Sequence, residues 1–436
     1  MEEFNEKIVF YGDLILTEEI IKNLRCELTV NHTDTENNVA EISLPRSINV
    51  QLMNDLHLHK KFIFKSEIHS KRLYLESSRY TFHSNFIWES SLLLYPNQVI
   101  IEDFYSEKEI RKVIFRAFIS PSELLFNESV LTFHEGKGLL SGWNKISNSE
   151  KTSWSEDYFN YQSQIGIIEL IPAFLFKELK DNKYKKEYYS LRQLVVYCTI
   201  DNLKNIDDLD ELFMKELSKM TKALSFLFVK RVNCWYREIK TIDVDNYPSL
   251  EKRIYIKSLK KAPLKDNRFI YGDAYAQWRV NISKIIDALT NLNQKDAALF
   301  DKLLDRYLVA FTYEKIDTKI IYALSCLDLI RNSFNKSLKV KQSFTPNLID
   351  VCETNNINWL DLFPYLTKTD VFDKQIKKDM YLNTVRNDII HYGIYPVSYD
   401  ISRDEILRAR ALSERFILKL LNIDYHSTGL GVLTRY

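Results

Sequence analysis

Leu382-Asn383-Thr384-Val385-Arg386-Asn387-Asp388-Ile389-Ile390-His391-Tyr392 is the stretch on which the reading of this 436-residue chain turns. On a helical wheel at about 100° per residue, Leu382, Val385, Ile389 and Tyr392 fall on one stripe, which predicts a helix buried along that side. Arg386 borders the stripe, Asn387 lies further round, and His391 falls roughly opposite it, about 140° from Arg386. Asn387 and His391 are one turn apart, so the amide can orient the imidazole, whereas Arg386 and His391 diverge. A site that uses both needs a second helix, and a second copy of this one would supply it. Gly393 and Pro396 follow closely, which keeps another reading open: His391 as a cationic residue in the last turn of a glycine-capped helix.

Outward from this stretch, apolar spacing predicts further helices over 275–292, 295–313, 318–334 and 402–421, with the motif helix running over 371–392. Together they predict an all-α bundle over 263–436. Ahead of it, 251–268 is dominated by Lys252, Arg253, Lys257, Lys260, Lys261, Lys265 and Arg268 around Pro263. That run reads as the boundary, either a solvated linker or a strip that follows phosphates. The region 1–262 carries short apolar or alternating runs, among them Ile8-Val9-Phe10-Tyr11, Lys61-Phe62-Ile63-Phe64, Arg72-Leu73-Tyr74-Leu75, Ser91-Leu92-Leu93-Leu94-Tyr95, Val113-Ile114-Phe115 and Gln193-Leu194-Val195-Val196-Tyr197. These predict a β-rich, antiparallel, sandwich-like region with one helix near 210–231. The stretch 144–164 has no clean period and reads as a long loop or a seam. The fold class is therefore α+β multidomain.

Composition narrows the function. Lys plus Arg number 60 against 59 acids, so any nucleic-acid surface must be local. Nine glycines and nine prolines disfavour several Gly-rich phosphate loops, and Gly136-Lys137-Gly138 lacks the spacing of one. Five scattered cysteines form no C-x-x-C pair, and His57 and His59 bring no third ligand, so neither a disulfide framework nor a metal site is expected. The acidic start and the lack of a long apolar run predict a cytoplasmic protein without a membrane span.

Arg386, Asn387 and His391 on a late helix of a bundle resemble the signature of the HEPN superfamily of ribonucleases. A β-rich region ahead of such a domain is similar to ApeA-type anti-phage proteins, in which the domain acts in abortive infection. The resemblance implies a homodimer formed through the helical domain, a phage-derived trigger sensed by the N-terminal region, and no cofactor. In many HEPN relatives an earlier acidic residue accompanies the motif, and Asp328 is its counterpart here, with Asp in place of the commoner Glu. Its position at the margin of the Ile320/Leu324/Leu327 stripe would let it reach Arg386 across the bundle. A local pair with Arg331, three residues on, is the other reading.

The chemistry such residues can perform follows from RNA itself, whose 2′-hydroxyl is a built-in nucleophile. Imidazole titrates near neutrality, which suits His391 to proton transfer. The Arg386 guanidinium stays charged and can bind two phosphate oxygens at once. Asn387 would hold the imidazole or a phosphate oxygen. The expected products are a 2′,3′-cyclic phosphate and a 5′-hydroxyl, with tRNA among the candidate substrates. Arg331, Lys336, Lys339, Lys341, Lys377 and Lys378 are the candidate phosphate contacts, and Tyr395 is the candidate base-stacking residue.

Overall fold

The computed structural model describes residues 5–16, 20–31, 38–44, 61–68, 70–84, 90–120, 143–145, 159–178, 188–201, 205–257, 278–312, 316–335, 344–366, 380–392 and 399–432. It divides into two compact units. Met1–Leu217 and Asn233–Lys265 form the first, Ser218–Val232 and Asp266–Tyr436 the second.

The first unit begins with β1 (Asn5–Ile15), β2 (Ile20–Asn31), β3 (Val39–Leu44), β4 (Phe62–Ile68), β5 (Lys71–Ser77), β6 (Tyr80–Ser84), β7 (Ser90–Leu94) and β8 (Gln98–Phe104). β5 and β6 are two parts of one long strand, as are β7 and β8. A single antiparallel register carries through, from Lys71 opposite Asp103 to Ser84 opposite Ser90. The hairpin bends where Ser77 Oγ, fully buried, lies 2.7 Å from the carbonyl oxygens of both Arg79 and Tyr95. Below the bend β5 pairs with β4, and above it β7 pairs with β3. Since β4 joins β1, and β1, β2 and β3 follow in order, the ring closes into an antiparallel barrel. Alternation supplies the lumen: Leu24, Cys26, Leu28 and Val30 on β2, Ala40, Ile42 and Leu44 on β3, and Phe62 and Phe64 on β4 all point inward.

At Gly12 the register of β1 with β2 shifts, and from Asp13 onward β1 pairs with β4 along its other edge as well. A Cβ at Gly12 would stand 2.1 Å from the Lys65 carbonyl oxygen, so only glycine permits this approach.

The sheet continues from β8 through β15 (Pro248–Ile256), β14 (Asn233–Asp243), β9 (Ile110–Ser120), β13 (Tyr188–Asp201) and β12 (Gly166–Glu178). β10 (Trp143–Lys145) and β11 (Phe159–Ser163) both pair with β12. Helix α1 (Ile206–Phe228) packs on this extension through Phe213, stacked 4.9 Å from Phe115, and through an ion pair between Asp210 and Arg237.

Three expectations change. The region is a closed barrel with a sheet extension rather than a sandwich, because the bent hairpin belongs to both. The basic stretch 251–268, read as a linker or a phosphate strip, begins instead as β15 in mid-sheet, where Lys252 meets Glu102 at 3.0 Å and Arg253 meets Asp103 at 3.0 Å and Glu6 at 3.2 Å, while the division between the units, at Lys265 and Asp266, falls within it. Within 144–164, expected as loop or seam, Phe159–Ser163 is a strand, while 146–158 lie outside the described residues.

The second unit holds α2 (Trp278–Asn291), α3 (Gln294–Thr312), α4 (Ile316–Phe334), α5 (Phe344–Thr354), α6 (Tyr381–Tyr392) and α7 (Tyr399–Leu420). α3 starts on a reciprocal cap, with Asn293 Oδ1 accepting from the Asp296 amide at 2.9 Å and Asn293 Nδ2 donating to Asp296 Oδ2 at 2.7 Å. Its buried stripe of Phe300, Leu303, Leu304, Tyr307 and Phe311 belongs to a helical core shared with Ile320, Leu324 and Leu327 of α4 and Leu412, Phe416 and Ile417 of α7.

Beneath that core lies a polar network. Glu414 accepts from Tyr307 Oη at 2.6 Å, Arg410 Nε at 2.8 Å and the Gly431 amide at 2.7 Å. The buried Arg415 donates to the carbonyl oxygens of Gly431 and Asn358 and makes a two-pronged pair with Asp361 at 2.8 and 2.6 Å. These groups hold the segment after α7 against the helices.

Candidate active site

α6 carries the motif and packs against α4 and α7. Leu382 and Val385 are buried and Arg386 is exposed, as a stripe with Arg386 at its border requires. Asn387 is half-buried, and Arg386 Nη1 donates to its Oδ1 at 3.2 Å. Guanidinium and amide therefore stand side by side on the outer side of the helix. His391 occupies the last turn, one turn beyond Asn387. Its side chain lies outside the described residues, as do Lys336, Lys339, Lys341, Lys377, Lys378, Tyr395, the His57/His59 pair and Gly136-Lys137-Gly138.

Asp328 sits on α4, a direct neighbour of α6. Of its two readings the structure displays the local one: Arg331 Nη2 lies 2.6 Å from Asp328 Oδ1. The Arg331 guanidinium also rests over the Phe344 ring, 5.4 Å from its centroid. One candidate phosphate ligand and one candidate acid are thus engaged with each other.

The start of α6 holds a cluster that the sequence did not single out. Glu405 of α7 is buried, accepts from Tyr365 Oη at 2.8 Å and from Arg408 Nη1 at 3.2 Å, and takes a hydrogen bond from the Leu382 amide. Burial pushes its carboxyl up to about 7, against the opposing pull of Tyr365 and Arg408. Tyr365 Oη also accepts from the Tyr381 amide at 3.4 Å, and the two rings lie 4.6 Å apart. A signal existed: Glu405, Ala409, Leu412 and Phe416 form one buried stripe, so Glu405 is a carboxylic acid at a core position.

Comparison with family models, with curated proteins and with solved structures gives no match. Among the described residues, no group of three or more His, Cys, Asp or Glu side chains is placed to hold a metal ion. No helix among them is long and apolar enough to cross a membrane.

What the described groups can do chemically is limited and specific. Arg386 offers a permanent positive charge with parallel N–H donors to an anionic oxygen pair. Asn387 offers an amide able to donate to the same anion while its carbonyl holds the guanidinium. The helix fixes the position of residue 391 relative to both.

Proposed function

We propose that the helical unit is a metal-independent endoribonuclease of the HEPN type, acting in anti-phage, abortive-infection defence as a homodimer. The β-rich region restrains it until a phage-derived or nucleic-acid signal arrives. Arg386 neutralises the charge gathering on the scissile phosphate, His391 moves the proton, and Asn387 orients one or the other. The 2′-hydroxyl attacks, leaving a 2′,3′-cyclic phosphate and a 5′-hydroxyl. The observation that carries this reading is the Arg386–Asn387 pair, its guanidinium exposed, on a helix whose Leu382 and Val385 are buried. The test is incubation of the purified protein with tRNA and total RNA in EDTA, with and without phage extract. Wild type should give cyclic-phosphate ends and His391→Ala should give none. RNA equally intact with both proteins under activating conditions would sink the enzyme reading.

The Asp328–Arg331 pair supports a second reading, because it ties up an acid that HEPN relatives place near the motif. In that reading the bundle is a catalytically inactive dimerisation or RNA-binding module, with the N-terminal region as the recognition element. It predicts salt-dependent RNA binding without cleavage.

A further inference from the structure

We propose that Glu405 and Tyr365 are positioning residues for the motif helix, together supplying from outside it the N-terminal cap that its own sequence lacks. α6 begins after Met380, whose carbonyl accepts from the amides of Asn383 at 2.9 Å and Thr384 at 3.2 Å, so Met380 stands at the cap position. Ser, Thr, Asp or Asn ordinarily fills that position and satisfies the first free amides with a side-chain oxygen. Methionine has no such oxygen. The amide of Tyr381 goes instead to the Tyr365 hydroxyl, and that of Leu382 to the Glu405 carboxyl.

The consequence concerns where Arg386 and Asn387 stand. They lie about one turn beyond the capped amides, so fraying of the first turn displaces them directly. Glu405 is held in turn: Tyr365 and Arg408 bind its two oxygens, and the Arg408 guanidinium lies 5.5 Å from the centre of the Tyr365 ring. The titratable and charged groups facing Glu405 are Tyr365 from the segment before α6, and Arg408 and Asp404 from α7; α6 contributes the Leu382 amide.

Protonation tunes this anchor. The folded protein holds Glu405 at about 7 against an ordinary 4.5. The stability gained by keeping it neutral is fully present below 4.5 and lost as pH rises through about 7. That loss is the cost of burying the charge; the bonds that Glu405 accepts from Tyr365, Arg408 and the Leu382 amide themselves favour the ionised carboxyl. The catalytic part of this inference rests on the ribonuclease reading; the cap itself does not.

Hydrogen exchange of the amides in α6, corrected for intrinsic rates, separates the two in the full-length chain. Wild-type protection should fall several-fold between about pH 6 and 8. Glu405→Gln, neutral throughout, should be flat. Glu405→Ala and Tyr365→Phe should lower protection at every pH, the former by about tenfold. In parallel, Glu405→Ala should lower kcat for RNA cleavage several-fold with KM changed less than about twofold, and Glu405→Gln should restore kcat. Unchanged α6 protection in Glu405→Ala would overturn the cap. Lost protection with an unchanged kcat would overturn the positioning role. If Glu405→Ala does not fold, Tyr365→Phe and the pH comparison of wild type with Glu405→Gln decide. If wild type cleaves no RNA, the proposed function fails while the exchange pattern still decides the cap.

Discussion

Replacing Arg415 by alanine should release the segment after α7 before it loosens the rest of the helical unit. The side chain is 1% exposed and serves three acceptors: the Gly431 carbonyl at 2.7 Å, the Asn358 carbonyl, and Asp361 through both oxygens. Its guanidinium also lies 4.5 Å from the centre of the Tyr425 ring. Each carbonyl left without a donor costs about 1–3 kcal/mol. Asp361 is half-exposed and can return to water, so its share is small. The expected loss is therefore about 3–5 kcal/mol, which resembles that for breaking a buried ion pair. Gly431 supplies an internal control. Its φ is +71°, and a Cβ there would lie 2.8 Å from Arg415 Cγ. Gly431→Ala should thus destabilise wild type more than it destabilises the Arg415→Ala protein, with a coupling of at least about 0.5 kcal/mol. Because the chain has two units, the assay should follow peptides by hydrogen exchange in a urea series rather than one global signal. Peptides from 425–432 should open first in Arg415→Ala. A loss under about 1 kcal/mol, or uniform opening of the whole helical unit, would refute this account.

Two other outcomes follow from single side chains. Gly12→Ala should destabilise the barrel by about 2–3 kcal/mol or more, because its Cβ meets the Lys65 backbone rather than a movable side chain; denaturant unfolding of the first unit measures this. Arg386→Lys should leave stability within about 0.5 kcal/mol, since the residue is exposed, yet lower RNA cleavage by about tenfold or more by removing the two-pronged phosphate grip; equal cleavage by both proteins would count against that role for Arg386.

Much of the fold is legible in local patterns. α3 and α4 show their buried stripes in sequence, and the barrel strands show period-two alternation at Leu24, Cys26, Leu28 and Val30. Closure is not legible, because it depends on one hairpin bending at Ser77 and joining β4 on one side of the bend and β3 on the other. β15 was masked by its charges: Lys252 and Arg253 look solvated in sequence, but their partners Glu102, Asp103 and Glu6 are far away in the chain. α5 was not among the expected helices; Pro346 stands in its first turn, where proline is tolerated because the amides there are free anyway. At the candidate site, the wheel placed Arg386 at the border of the buried stripe, where the structure exposes it. It could not choose between the two partners of Asp328, since its wheel position allows both a local pair with Arg331 and a reach across the bundle to Arg386, and only packing selects one.

The order in which the barrel and its extension are synthesised gives the β8–β15 seam a role in time. Every barrel strand lies within the first 104 residues, so the ring can close as soon as they leave the ribosome. The outer edge of β8 must then wait: Arg253 follows Asp103 by 150 residues, roughly 8–30 s of synthesis. An unpaired strand edge in a crowded cell invites the wrong partner. Glu102 and Asp103 put like charges on that waiting edge, which disfavours a second copy of itself. Lys252 and Arg253 arrive later with the opposite sign, so the acids that guard the waiting edge become the anchors of the finished seam.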